Sequence, residues 1–256
     1  KLQKQLKALE QQRDEIESNK IYEHAFEWRF EFPALLDSEG NFTGFDIVIG
    51  NPPYNELRDL DISTQNALKE SSYFEYAKGG RLNVFQFFYP LTIEIAKELG
   101  IISIITQNSI LSEESTLGNR RLFMSRADIL AIDSFPERDN VNTRVFESVK
   151  MSVCICTLKK KVKPNDDLII PITVWHTRFM QENHKLYISK KEIRELFPTD
   201  LIFPISTNKK LDILKKVWKR KNYTIKASAG EIDMTKYSAY FNVIHIGKRI
   251  LTGAQV

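Results

Sequence analysis

The run Phe45-Asp46-Ile47-Val48-Ile49 leads into Gly50 and then straight into Asn51-Pro52-Pro53-Tyr54. No other stretch restricts the fold so tightly. The run is too short for a helix and rich in β-branched side chains, so it reads as a buried strand. Two consecutive prolines lack the N–H groups a ladder needs, so the chain must leave the sheet there as a stiff loop. Asn51 precedes a proline, which pushes it into extended geometry with its amide projecting from the strand end. In open α/β sheets, ligands bind at the carboxyl ends of strands. The tetrapeptide is therefore a polar clamp where such a fold does chemistry; the plainer alternative is a rigid turn, since Asn-Pro commonly initiates one.

The remaining periodicity predicts elements around that strand. Leu2, Leu6, Leu9, Arg13 and Ile16 predict an amphipathic helix over residues 1–20. Phe26, Trp28, Phe30 and Phe32 alternate with charged residues up to Pro33, which predicts an extended aromatic segment. Asp37–Asn41 reads as a turn. Residues 55–80 are polar and irregular, as a lid loop over an active site would be. A helix is expected from Asn83 to Leu99, with Phe85, Phe88, Leu91, Ile95 and Leu99 on one face, Asn83 suiting an N-cap and Gly100 as its stop. Ile101–Thr106 and Ile129–Phe135 read as buried strands, separated by a short helix opened by Arg120 and Arg121. This alternation predicts a mostly parallel, helix-covered sheet. The strand over Met151–Leu158 follows with no intervening helix, so it is expected to pair antiparallel with its predecessor at the sheet edge. Beyond it, Leu168–Trp175 reads as extended, Lys190–Leu196 as a helix capped by Ser189, and Lys209–Arg220 as a helix after Thr207. A domain boundary is expected near Lys161–Asp167.

At 42% hydrophobic and 27% charged residues, the chain is of ordinary globular composition. It has no apolar run of membrane-spanning length, its first residues do not form a signal peptide, and the expected compartment is the reducing cytoplasm. Cys154 and Cys156, spaced by two, fall on one face of a strand as small apolar fillers; a C-x-C metal pair is the alternative, without His or Cys partners at zinc spacing. Charge is unevenly distributed: residues 1–150 hold 17 Lys/Arg against 24 Asp/Glu, whereas residues 151–226 hold 17 against 7. Lysines that merely solvate helix faces would look like this, and so would a catalytic half joined to a nucleic-acid-reading half. The same two readings apply to the face Lys209–Lys221.

The clamp suits one kind of acceptor. An exocyclic amine conjugated to a heteroaromatic ring is a poor nucleophile, because its lone pair is delocalised. Acceptors on its two N–H groups favour the pyramidal nitrogen in which that pair is available. The Asn51 side-chain oxygen and the Pro52 carbonyl are two such acceptors, held in place by the prolines, and Tyr54 offers a flat face for a base. A base reaching them must leave its helix. No metal, nucleophilic Cys or catalytic His is needed, and His24, His176, His184 and His245 are scattered structural residues.

Phe45–Tyr54 resembles motif IV of the S-adenosylmethionine-dependent N6-adenine methyltransferases, and further segments follow in the family's order. Asn83-Val84-Phe85 and its helix look like motif V, Ile104–Ser109 like motif VI, and Val145-Phe146 with the next strand like motif VIII. Gly230–Thr235 through Leu251-Thr252-Gly253-Ala254 is similar to the start of the target-recognition region of type IIG-like restriction–modification enzymes, whose aromatic lead-in Phe26–Pro33 also resembles. The resemblance implies an α/β fold: a partial Rossmann-like methyltransferase sheet over 21–162, then the beginning of an α+β target-recognition domain over 163–256. It implies site-specific adenine-N6 methylation of double-stranded DNA by direct transfer from S-adenosylmethionine. Asn51, Pro52, Pro53 and Tyr54 would be catalytic, Tyr54 and Phe146 would stack on the base, and Asn83 would lie near the cofactor. Phe146 as ordinary core and Asn83 as a plain N-cap are the other readings. The family's glycine-rich motif I has no counterpart before Phe45, where Gly40 and Gly44 are the only glycines. The expectation is a fragment holding the base-binding half of a site, completed by the same polypeptide upstream or by a partner subunit, with no membrane association. The competing functions are methylation of an RNA base or a protein glutamine, which present the same delocalised nitrogen, and a non-catalytic DNA-binding module.

Overall fold

A computed structural model describes residues 26–77, 80–181 and 183–218, together with Leu6, Leu9, Glu10 and Arg13. Those four are helical, with Leu6 and Leu9 exposed. The rest of the helix expected over residues 1–20, and the recognition segment expected at Gly230–Ala254, lie outside the described residues.

The chain is a mixed α/β fold on one six-stranded sheet. The strands are β1 (Phe45–Gly50), β2 (Ala96–Gln107), β3 (Ala127–Phe135), β4 (Val153–Lys160), β5 (Ile169–Trp175) and β6 (Asn183–Ser189). Their spatial order is β1-β2-β4-β3-β5-β6. The helices are α1 (Trp28–Glu31), α2 (Ile62–Glu70), α3 (Phe74–Ala77), α4 (Phe85–Ile95), α5 (Leu117–Arg126), α6 (Lys190–Leu196) and α7 (Asn208–Trp218). β1 with β2 and β3 with β5 are parallel, and the other three pairings are antiparallel. The sheet is thus mixed rather than mostly parallel. β4 does pair antiparallel with β3, but it is inserted between β3 and β2 instead of lying at an edge. β6 was not anticipated; its residues Asn183, His184, Lys185 and Tyr187 are too polar to announce a strand, and pairing with β5 supplies the reason.

The expected boundary near Lys161–Asp167 does not separate compact units. Those residues join β4 to β5 within the one sheet, inside the compact unit that extends to Lys215. A charge run with Pro164-Asn165 marks a turn equally well between strands and between domains.

β1 forms as expected but is not buried: it is an edge strand, with Ile47 and Ile49 exposed and only Val48 packed on the core. An apolar strand-length run gives the element, while burial depends on what lies across it. The aromatic lead-in is not extended. Trp28 and Phe32 are four apart on the short helix α1 and its following turn, their rings 5.8 Å apart, and both meet Phe45 edge-on at 5.6 and 5.0 Å. Both spacings, two and four, are present in Phe26–Phe32, and docking onto Phe45 selects the helical one. The expected turn forms: the Asp37 carboxylate accepts from the Glu39 and Asn41 amides, and Gly40 takes φ 81°.

Residues 55–77 carry three short helical segments, Leu57–Asp59, Ile62–Glu70 and Phe74–Ala77, rather than an irregular lid. Asp61 caps α2, accepting from the Thr64 amide at 2.9 Å. Leu57, Ala77 and Phe87 bury a separate small core there, with Leu60, Leu68, Tyr73, Phe74 and Leu82 packed around it. α4 stops at Ile95, not at Gly100, because Ala96 turns extended to pair with Phe45. Leu99 then takes φ 68° before the regular ladder starts at Ile101. The side of α4 facing the core is Phe85, Tyr89 and Ile93, while Phe88 and Leu91 are half-buried. Pro90, inside α4, cannot donate to the Gln86 carbonyl one turn back; the buried Asn119 of α5 donates to it instead, at 2.8 Å.

The main core lies on the sheet face carrying Ile102, Ile104, Cys154, Cys156, Leu158, Ile129 and Ile132, all at most 1% exposed, and packs with α4 and α5. Burying each of these branched side chains contributes about 1.5–3 kcal/mol. Both cysteines are free fillers, and among the described residues no His, Cys, Asp and Glu cluster could hold a metal. No described helix is long and apolar enough to cross a membrane. The helix of Arg120 begins three residues before it, and the arginine itself is fully buried. It donates to the carbonyls of Asp200, Ile110 and Glu113 and to the Thr116 hydroxyl, and burial lowers its pKa to about 10. α6 carries the expected Ser189 cap, completed by Glu192 as a capping box.

Candidate active site

β1, β2, β3 and β5 all send their carboxyl ends to the same sheet edge, since β4 runs against both β2 and β3. At that edge the loop Asn51–Asn55 leaves β1 without regular structure. Pro52 is buried, Tyr54 half-buried, and Asn51 and Pro53 exposed. The loop is therefore anchored from below and open at its polar tip.

Tyr54 organises the loop. Its hydroxyl donates to the Asn51 side-chain oxygen at 2.7 Å and lies 3.1 Å from the Ile105 carbonyl at the end of β2. One hydrogen serves two acceptors, and the shorter contact is to Asn51. Burial, with Cys154 nearby, pushes the phenol up to about 12, so it remains a donor throughout the neutral range. In this orientation the Asn51 side-chain oxygen keeps a further lone pair.

Asn83 holds the other end of Tyr54. Its side-chain nitrogen donates to the Tyr54 carbonyl at 3.1 Å, and its oxygen accepts from the Phe85 amide at 3.4 Å. Its own amide donates to the Gln86 side chain at 2.8 Å, and Gln86 in turn donates to the Ser115 carbonyl. Residues 55–57 and 82–84 run antiparallel beside it, through Val84 to Asn55 and Leu57 to Leu82. Asn83 is 8% exposed, so neither half of its amide is presented to a ligand. The N-cap of α4 is Val84, without a side-chain cap, so Asn83 is not the expected cap; one residue earlier, it ties the loop to that helix.

Phe146 arrives from the long β3–β4 connection. Its half-buried ring stands 5.9 Å from that of Tyr54, tilted by 60°. Arg178, in the β5–β6 turn, pins that connection: its amide donates to the Thr143 carbonyl at 2.8 Å and its guanidinium pairs with Glu147 at 2.5 Å. Asn108 and Ser109 shape the β2 end, as their position suggests; Asn108 accepts from Ser134 on β3. His176, just past the end of β5, faces His184 of β6 at 5.4 Å; burial lowers the pKa of His184. Asn83 and Phe146, far from Asn51–Tyr54 in sequence, thus converge on that loop. Sequence reasoning missed the roles of Gln86 and Arg178, whose partners lie 29 and 31 residues away.

A model of the family described as Eco57I restriction-modification methylase matches residues 1–141. Among solved structures, the chain is similar to the methyltransferase subunit of a type I restriction-modification system from Streptococcus thermophilus, at 17% identity and TM-score 0.37, over 52% of this chain and 26% of that one. It is similar to the type IIG restriction endonuclease BpuSI at 12% identity and TM-score 0.42, over 57% and 19%. A third likeness is the type IIL restriction-modification enzyme MmeI in complex with DNA, at 18% identity and TM-score 0.40, over 57% and 19%. The chain spans about a quarter or less of each of these proteins.

Proposed function

The chain belongs to the Eco57I restriction-modification methylase family, and from that premise we propose that it carries the acceptor pocket of a DNA adenine-N6 methyltransferase. The observation that supports this most is the Tyr54–Asn51 hydrogen bond at the open tip of a doubly anchored loop. The exocyclic amine of a flipped adenine donates its two hydrogens to the Asn51 side-chain oxygen and the Pro52 carbonyl. These acceptors keep the nitrogen pyramidal and its lone pair free, and they are fixed in advance, so little reorganisation is needed during reaction. Pro53 keeps the loop from relaxing into a ladder. The purine lies against Tyr54 and Phe146. Stacking between both rings needs two contact distances, roughly 7 Å in all, so Phe146 moves outward by about 1 Å from its 5.9 Å position as the base enters.

S-adenosylmethionine supplies the electrophilic methyl group in this reading. Asn83, the residue the sequence suggested for it, does not fit that role, because both ends of its amide are engaged inside the protein. The donor is held by other residues, and the cytoplasmic enzyme meets duplex DNA with the remainder of its polypeptide or a partner subunit.

The test is transfer of tritiated methyl groups from S-adenosylmethionine to duplex DNA, an RNA and a glutamine-containing peptide. Label appears in DNA as N6-methyladenine, and Asn51→Ala abolishes it. Label in RNA or peptide instead, or full activity of Asn51→Ala, overturns the assignment.

A further inference from the structure

Beside the acceptor loop is a cleft of about 360 Å³, between the start of α2 and the segment Gly80–Leu82. Its polar lining is Glu56, Arg58, Gln65, Lys69 and Arg81. We propose that this cleft binds a phosphodiester of the DNA strand next to the target base, through Arg58 and Arg81 with Lys69 behind them. The proposal rests on the DNA-methylation reading above.

Three features support it. The first is charge: three cations line the cleft, and Glu56 is the single carboxylate among the described lining residues. The second is preorganisation. The half-buried Glu56 carboxylate holds both guanidiniums at once, Arg58 at 2.7 Å and Arg81 at 3.2 Å, through opposite oxygens. Asp59 also stands 3.9 Å from Arg58, so the net positive charge of the cleft is the single charge by which Arg58, Arg81 and Lys69 outnumber Glu56 and Asp59. Both arginine side chains remain more than 70% exposed, so their remaining donors face solvent. A guanidinium pair held this way suits a phosphate, which accepts several parallel N–H donors. A pair meant only to stabilise the surface would gain little from being so exposed.

The third feature is continuity with the acceptor loop. Glu56 is two residues beyond Tyr54, about 7 Å along an extended chain. Glu56 and Asn83 face each other across the antiparallel pair 55–57 and 82–84, and Asn83 also bonds the Tyr54 carbonyl. Arg81 directly precedes the paired segment 82–84. The cleft and the base pocket therefore share one small framework, and a strand whose base enters at Tyr54 brings a neighbouring phosphate to the cleft. Such a contact fixes register without reading sequence.

The test measures fluorescence anisotropy of a labelled 30-base-pair duplex of mixed sequence binding to the protein across a range of KCl concentrations. Each phosphate contact contributes about 0.9 to the slope of log K against log salt. Arg58→Gln/Arg81→Gln lowers the magnitude of the slope by about 0.9, the loss of one phosphate contact, and Arg58→Lys/Arg81→Lys restores most of it. Lys163→Gln/Lys191→Gln removes equal charge at the opposite sheet edge and leaves the slope near wild type. An unchanged slope in the Arg58→Gln/Arg81→Gln protein, or an equal loss in the control, overturns the cleft. So does inorganic phosphate that binds the wild type but not this variant while the DNA slopes stay equal; the cleft would then serve a free anion. Adenine methylation with an unchanged slope sinks the cleft alone. A slope that depends on the arginines, without methylation, sinks the functional reading alone.

Discussion

Replacing Asn83 separates two roles that one residue in this position could have. Its side chain makes a 3.1 Å bond to the Tyr54 carbonyl and a longer, weaker 3.4 Å bond from the Phe85 amide. A net hydrogen bond contributes about 0.5–1.5 kcal/mol, and a buried group left unpaired costs about 1–3 kcal/mol. Asn83→Ala is therefore expected to destabilise the protein by about 1–3 kcal/mol, lowering Tm by roughly 2–12 °C in a domain of this size. Asn83→Asp keeps the acceptor for Phe85 but turns a carboxylate toward the Tyr54 carbonyl, so its effect reports the loop contact alone. A displacement of the clamp by about 1 Å costs on the order of a hundredfold in rate. Both variants should lose kcat at least tenfold, with little change in KM for S-adenosylmethionine. Thermal unfolding and methyl incorporation, measured side by side, check this. An Asn83→Ala protein with wild-type Tm and only a raised KM for S-adenosylmethionine would show that the residue contacts the cofactor, and the positioning argument would be wrong.

Two other perturbations probe the core that carries the site. Asn119→Ala leaves the Gln86 carbonyl without its donor, costing about 1–3 kcal/mol, but Pro90→Ala restores a backbone N–H to that carbonyl; the double mutant should recover about 1 kcal/mol relative to additivity, and additive urea midpoints would refute the repair. Lys190, 1% exposed, caps the end of α5 through the Phe123, Met124 and Ala127 carbonyls. Burial lowers its pKa from 10.5 to about 8, opposed by Asp128 and Asp166. Between pH 8 and 10 the unfolded chain holds this proton and the folded one does not, so stability rises with pH there, on the order of 3 kcal/mol at full effect. Lys190→Met should remove that rise, which urea unfolding at pH 7.5 and 9.5 detects; an equal rise in the variant would place its origin elsewhere.

Much of the candidate site was legible before any coordinates. A β-branched run stopped by Gly50-Asn51-Pro52-Pro53 fixes a strand and its exit locally, because proline removes a ladder donor wherever it stands. The caps at Asp61 and Ser189 are equally local, though only Ser189 was recognised. Phe146 could not be resolved from sequence, since a lone aromatic before a strand is equally consistent with core and with a site wall. Its 5.9 Å approach to Tyr54 depends on Arg178, from a different turn.

The sequence by itself determined the positions of β1, β3, β4, β5 and the regular part of β2, and that Asn51–Tyr54 is a rigid polar loop at the end of β1, because those depend on dihedral restriction and hydrogen-bonding groups within a few residues. Tertiary structure decided what each element packs against. It put the apolar β1 at an edge with Ile47 and Ile49 exposed, and chose helix over strand for Phe26–Phe32 by docking it on Phe45. It also inserted β4 between β2 and β3 and assigned Asn83 to the Tyr54 carbonyl. Each of these choices sets contacts between residues distant in sequence, which no local pattern encodes, and the clamp keeps its shape only because Ile105 and Asn83 meet Tyr54 from two such distant places.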